Sequence, residues 1–112
     1  CEPGAQAFTT LSHNHAELGR RASVVLHRAA FQRVLPTLGH LDLVFADPPF
    51  PWYADDPHHI VTLLDLSTAA LATNGVVLIR GERGASLPII PGLREAERRQ
   101  YGRSWIALLR RA

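Results

Sequence analysis

The chain has 112 residues, 46% of them apolar and 20% charged, with a formal net charge of +2 and a pI near 9.3. That length bounds one domain with room for a core, and the composition excludes a disordered or disulfide-built protein: Cys1 is the single cysteine. No run nears the roughly 20 apolar residues of a membrane span, and the N-terminus lacks the basic and apolar regions of a signal peptide, so the expected compartment is the cytoplasm. All 12 basic residues are arginine, which fits either an anionic partner or an arginine-biased proteome.

The chain contains no methionine and opens Cys1-Glu2-Pro3-Gly4. It therefore reads as a segment of something longer, a single partial domain over residues 1–112. Cys1-Glu2 reads as the tail of a strand, ended by Pro3-Gly4. From Ala5 to Leu18, Ala7, Phe8, Leu11 and Leu18, with His15 as a weak member, recur at helical spacing; Gly19 is the natural C-cap, followed by Arg20 and Arg21. Ser23 to His27 reads as a short strand. Ala29 to Leu38 predicts a helix with Phe31, Val34, Leu35 and Leu38 on one face, ended or kinked near Leu35 by Pro36.

Leu41 to Ala46 is an apolar run interrupted only by Asp42, the pattern of a strand buried on both faces of a parallel sheet. Asp47-Pro48-Pro49-Phe50 stops it, because neither proline can donate to a ladder and each fixes its own φ. Pro51 to Asp55 reads as a loop. Asp56-Pro57 is a helix start, with Asp as N-cap and Pro at the first helical position. The helix is expected to run to about Thr73, with Ile60, Leu63, Leu64, Ser67 and Leu71 along one stripe, until Asn74-Gly75 stops it. Val76 to Ile79 reads as a buried strand, Gly81 to Gly84 as a turn, and Leu87 to Pro91 as an irregular stretch. Leu93 to Tyr101 fits strand or helix, and Ser104 to Arg110 reads as a closing strand. Strands alternating with helices predict an α/β fold with a largely parallel sheet.

The Asp47–Phe50 tetrapeptide can carry specific chemistry. It sets one carboxylate, free carbonyls and a ring at the carboxyl end of a strand, the edge where open α/β sheets bind ligands. An exocyclic amine of a nucleobase is a poor nucleophile because its lone pair is delocalised into the ring. Asp47 and the Pro48 carbonyl can accept its two hydrogens and aim the lone pair, while Phe50 offers a stacking face. Pro48 and Pro49 hold these groups still. The bland alternative is a proline-rich surface turn with a solvated Asp47. Trp52 and Tyr53 fit either an extended stacking surface or core packing. His13/His15 and His58/His59 with one terminal cysteine make no compact metal set, so no metal is expected. Neither a Walker loop nor a nucleophile-elbow serine is present.

These residues resemble a class I, S-adenosylmethionine-dependent methyltransferase, and within that class the 16S ribosomal-RNA guanine-N2 methyltransferases of the RsmD type. The specific match is Asp47-Pro48-Pro49-Phe50. It is supported in order by Glu2 at a strand end, Asn14 and Gly19 around the first helix, and the tail Tyr101-Gly102-Arg103-Ser104-Trp105. The resemblance implies a Rossmann-like sheet, mostly parallel, with a C-terminal antiparallel hairpin and the first strand and its Gly-rich turn missing from this chain. It implies S-adenosylmethionine as cofactor, with Glu2 on the ribose hydroxyls and Asp47, Pro48, Pro49 and Phe50 around the guanine. Arg28 stands where the family places an Asp or Asn near the adenine, which an arginine cannot replace as an acceptor. Ribosomal RNA is the implied partner. Arg94, Arg98, Arg99, Arg103, Arg110 and Arg111 fit either an RNA phosphate surface or a solvated basic face. The same tetrapeptide also serves DNA or RNA adenine-N6 and cytosine-N4 methyltransferases, and a non-catalytic RNA-binding remnant is the rival from another class. This segment alone is expected to be inactive.

Overall fold

The structure, a computed structural model, describes residues 1–18 and 24–112. Its centre is a four-stranded sheet of β1 (Leu41–Ala46), β2 (Leu71–Glu82), β3 (Leu93–Tyr101) and β4 (Ser104–Arg111), in the order β1-β2-β4-β3. β1 pairs parallel with β2, setting Val44 beside Val77 and Ala46 beside Ile79. The other two pairings, β2 with β4 and β4 with β3, are antiparallel. The sheet is thus mixed and mostly antiparallel, which corrects the expectation of a mostly parallel one. A parallel pair needs a long crossover, and the described residues contain one, from β1 through α3 (Pro51–Asp55) and α4 (Pro57–Ala70) to β2. The expected C-terminal hairpin is present. Tyr101 and Ser104 close it over Gly102-Arg103, with Gly102 at φ 59°, the first central position of a turn that wants glycine.

The core lies between α4 and one face of the sheet. Ile60, Leu63, Leu64 and Ser67 form the buried stripe of α4 at the predicted spacing. They meet Val77 and Ile79 of β2, Ala46 of β1, and Trp105, Ala107 and Leu109 of β4. Alternation along β2 and β4 sends the intervening residues to the other face, which no helix covers among the described residues. Leu43 and Phe45 there are 55% and 58% exposed, so β1 is not buried on both faces as its apolar run suggested. A continuous apolar run presupposes helices on both sides, and here one side has none. Helix α1 (Ala5–Leu18) has its predicted bounds and buries no residue.

Other differences have local causes. Residues 24–27 are not in the sheet, and the Glu2 amide donates to the His27 carbonyl at 2.9 Å; Gly19, Arg20, Arg21 and Ser23 lie outside the described residues. The expected Ala29–Leu38 helix is a single turn, α2 (Phe31–Val34), which tightens into a 3-10 turn over Leu35–Thr37 where Pro36 enters. Residues Pro51 to Asp55 form helix α3 rather than a loop, with Pro51 at its first position. Helix α4 ends at Ala70, not Thr73, and Asn74-Gly75 lies inside β2. Leu71 already pairs with Leu41, and the ladder resumes at Leu43–Val76 across a bulge. Arg111 donates from Nη2 to the carbonyls of Thr68 and Leu71 at 2.8 and 2.6 Å, so β4 caps the C-terminus of α4. The ambiguous segment Leu93–Tyr101 is strand.

Candidate active site

β1 delivers Asp47 at its carboxyl end, and the chain turns at once through buried Pro48 and exposed Pro49 into α3. Helix α3 fixes the turn from below: the Trp52 amide donates to the Pro49 carbonyl at 3.0 Å and the Tyr53 amide to the Phe50 carbonyl at 3.1 Å. Two prolines followed by a helical turn leave the tetrapeptide little freedom. The result is a ridge, Asp47-Pro48-Pro49, with a depression on either side.

One depression, of about 570 Å³, is lined by Asp47, Pro48 and Pro49 together with Glu2, Phe31 and Trp52. Glu2 accepts the Gly4 amide on Oε2 at 2.9 Å, which holds its carboxylate at the mouth. Phe31 stands 6.2 Å from Trp52, and the His59 ring stacks on Trp52 at 4.6 Å. The second depression, of about 440 Å³, is lined by the same Asp47, Pro48 and Pro49 with Phe50, Pro51 and Arg80. Of the predicted site residues the structure brings together Glu2, Asp47, Pro48, Pro49 and Phe50. Arg28 is exposed and lines neither depression; Ala30, Phe31 and Gln32 lie there instead.

Arg80, at the end of β2, is the residue that sequence reasoning missed. Its Nε donates to Asp47 Oδ1 at 2.9 Å, and its guanidinium carbon lies 5.3 Å from the Phe50 ring centre. Its backbone carbonyl accepts the Tyr53 hydroxyl at 2.7 Å. Burial first, and then the negative charge of Asp47, push the Tyr53 phenol well above its ordinary range, so it stays a donor. Position 80 directly follows the apolar run Val76 to Ile79, and a strand parallel to β1 must end beside Asp47; that was the available signal. Tyr53 also packs edge-on against Trp105 at 5.7 Å. Tyr53 therefore packs into the core, while Trp52 packs against the core and also lines the larger depression.

The six tail arginines do not form one surface. Arg98 pairs with Glu95 at 2.6 Å and lies 4.1 Å over Trp105; Arg99 pairs with Glu97 at 2.7 Å; Arg111 caps α4. Arg94 and Arg110 are direct neighbours at the sheet end remote from Asp47. Arg103 sits on the hairpin turn at the near end, where its carbonyl accepts the Arg83 amide at 2.7 Å. Among the described residues, Arg80 is the arginine that lines a depression at the ridge.

Contrary to the spacing argument, Asp56, His58 and His59 do form a compact set, each offering one ligand atom within 4.8 Å of the others. The Asp56 carboxylate faces both imidazoles, at 3.1 Å from His58 Nδ1 and 3.4 Å from His59 Nδ1, and makes no N-cap hydrogen bond to α4. Asp56 and Pro57 thus hold the predicted N-cap and first helical positions, with the carboxylate turned to the imidazoles.

Asp47-Pro48-Pro49 at the end of β1 thus separates two depressions at one edge of an α/β sheet. Residues 1–110 match the family described as Conserved hypothetical protein 95, and the chain belongs to this family of RsmD-like methylases. Among solved structures it is similar to a conserved hypothetical protein of Streptococcus pyogenes (TM-score 0.76, 21% identity), covering 99% of this chain and 69% of that one. It is similar to the candidate methyltransferase yhhF of Escherichia coli (0.78, 20%), covering 98% and 60%. An rRNA methyltransferase, aviRa of Streptomyces viridochromogenes, also matches (0.62, 23%), covering 95% and 46%. No curated protein matches the chain. At these identities the likenesses establish the fold.

Proposed function

We propose that the protein transfers a methyl group from S-adenosylmethionine to the exocyclic N2 amine of a guanine in small-subunit ribosomal RNA. The observation that carries this reading is the ridge itself. Asp47, Pro48 and Pro49 line both depressions, so a donor in one and a base in the other would meet across two peptide units.

The larger depression suits the cofactor. Its volume lies in the roughly 300–1,000 Å³ range of ligand pockets. Glu2 offers a carboxylate oxygen for ribose hydroxyls, and Phe31 and Trp52 give apolar faces for a flat ring. The cofactor would supply an electrophilic methyl on a sulfonium. This chain's residues then have only to position the amine. Asp47 Oδ2 and the Pro48 carbonyl accept its hydrogens, and Phe50 carries the base. A negative Asp47 also favours the positive charge that gathers on the nitrogen as it attacks. No strong base is required, because the methylated amine is acidic enough to lose its proton to water. Among the described residues β1 is an edge strand and borders this depression, and the chain spans only part of the structures it matches.

An adenine-N6 or cytosine-N4 acceptor is the second reading, since the same acceptor pair suits those amines. The test is transfer of labelled methyl from S-adenosylmethionine to unmodified ribosomal RNA by the whole protein, with the product nucleoside identified by mass. N2-methylguanosine is the expected product. N6-methyladenosine or N4-methylcytidine would move the assignment to the second reading, and no transfer with calorimetrically normal S-adenosylhomocysteine binding would remove RNA as the substrate.

A further inference from the structure

We propose that Arg80 selects the base, favouring guanine, an inference that rests on the function proposed above. The residue is held at three places, two of them on its side chain, and unused at a fourth. Nε is tied to Asp47 Oδ1, the guanidinium lies over the Phe50 ring, and the backbone is held by the Tyr53 hydroxyl. Among the described residues neither Nη atom has a hydrogen-bond partner, and neither does Asp47 Oδ2. Arg80 and Asp47 thus present, side by side along one wall of the smaller depression, unspent donors and an unspent acceptor.

That order of groups has a complement among the bases. Beside its exocyclic amine guanine carries a second donor, N1–H, and then the acceptor O6. Asp47 can accept from the amine and N1–H, and a planar guanidinium next to it can donate to O6. Adenine and cytosine each place an acceptor, N1 or N3, immediately beside the amine, where it would face the Asp47 carboxylate. Two acceptors pressed together in a partly desolvated site are unfavourable, and one is left unpaired. Cytosine recovers part of the loss through O2 against Arg80; adenine, with C2–H at that place, recovers nothing. The predicted order is guanine, then cytosine, then adenine.

The ion pair also explains why an arginine can sit against the catalytic carboxylate without blocking it. A single Nε contact uses one lone pair of Oδ1 and leaves Oδ2 of a residue that lines the depression free to accept. A bidentate grip would have consumed both oxygens. Arg80 is 42% exposed at its side chain, so it is reachable by a base arriving from solvent.

The experiment is a titration of this chain, 15N-labelled, with guanosine, cytidine and adenosine 5′-monophosphates, followed by amide and arginine Nε shifts. Wild type is expected to bind the guanine nucleotide tightest, by about tenfold over adenine, with shifts centred on Asp47, Phe50 and Arg80. Arg80→Gln should abolish that preference while the Phe50 shifts persist, and Arg80→Lys, which keeps charge but not the fork, should recover only part of it. The ribose and phosphate are shared by all three ligands, so a phosphate contact cancels in the ratios. An equal loss for all three nucleotides in Arg80→Gln would make Arg80 a phosphate contact and overturn the proposal. An unchanged ratio with Phe50 shifts intact would overturn it while leaving the methyltransferase reading standing. No nucleotide shift at Phe50 in wild type would overturn both.

Discussion

Gly81→Ala probes how the site is braced from beneath. A Cβ at position 81 would lie 2.2 Å from Cζ2 of Trp105 and 2.6 Å from Cε2 and Cη2, against 3.4 Å for the start of ordinary contact. The indole would have to give by about an ångström. It has little room, being 3% exposed, with Arg98 over one face at 4.1 Å and Tyr53 against its edge at 5.7 Å. Overpacking of this kind costs about 1–3 kcal/mol. Replacing glycine in a strand returns roughly 0.5–1 kcal/mol through the unfolded state. The net expectation is a loss of about 1–2 kcal/mol, which for a chain of this size lowers Tm by roughly 4–10 °C. Urea denaturation followed by far-UV circular dichroism measures it. The same assay on Gly81→Ala/Trp105→Phe adds a second constraint, because a smaller ring makes room for the methyl. The double variant should lose clearly less than the sum of the two single losses. A Gly81→Ala protein as stable as wild type, or strict additivity in the pair, would show that the indole does not lie across Gly81.

The remaining predictions separate stability from function. Asp47→Ala removes an ion pair whose partners are each 42% exposed, so it should cost under about 1 kcal/mol in urea denaturation while cutting methyl transfer by the whole protein at least a hundredfold; a large stability loss would make Asp47 structural instead. Arg111→Ala removes the side-chain donor to the Thr68 and Leu71 carbonyls at the end of α4, of which Thr68 keeps the Leu71 amide, and should cost about 1 kcal/mol, with Arg110→Ala as the near-neutral control in the same assay. Tyr53 binds its proton more tightly folded than unfolded, so its contribution is fully present below pH 10 and is lost as the pH climbs above 10, where only the unfolded chain ionises. Wild type should therefore lose stability on that alkaline limb more steeply than Tyr53→Phe, and equal slopes in urea titrations there would sink the assignment.

Much of this molecule is legible in the residues alone. Asp47-Pro48-Pro49-Phe50 marked the end of β1, because proline's lost donor and locked φ act locally whatever surrounds them. The stripe on α4 was equally clear, since five apolar or small positions at helical spacing have few other uses. What could not be read depends on partners. The run Leu41–Ala46 says that both faces are apolar, not that a helix stands on each, so the exposure of Phe45 was invisible. The break between α4 and β2 was misplaced because Leu41 pairing with Leu71 outweighs the stop signal of Asn74-Gly75. The arginine tail looked like one basic surface only while the strands were undrawn; once β3 and β4 run antiparallel, Arg94 and Arg103 fall at opposite ends of the sheet.

Arg80 follows the same logic from the other direction. In sequence it stands 33 residues from Asp47 and carries no motif. It reaches the carboxylate because a parallel crossover brings the ends of β1 and β2 to one edge, and because alternation along β2 turns residues 76, 78 and 80 away from α4, to the face that Asp47 shares. Chain direction and the period of two are therefore enough to place a guanidinium beside any carboxylate that ends β1. The Tyr53–Trp105–Gly81 packing beneath then decides how firmly it is held. If base choice lies in that pair, substitutions in the packing should change the guanine-to-adenine binding ratio before they change affinity for the nucleotide as a whole. Phe50 would still carry the ring, while the Arg80 donors lost their aim.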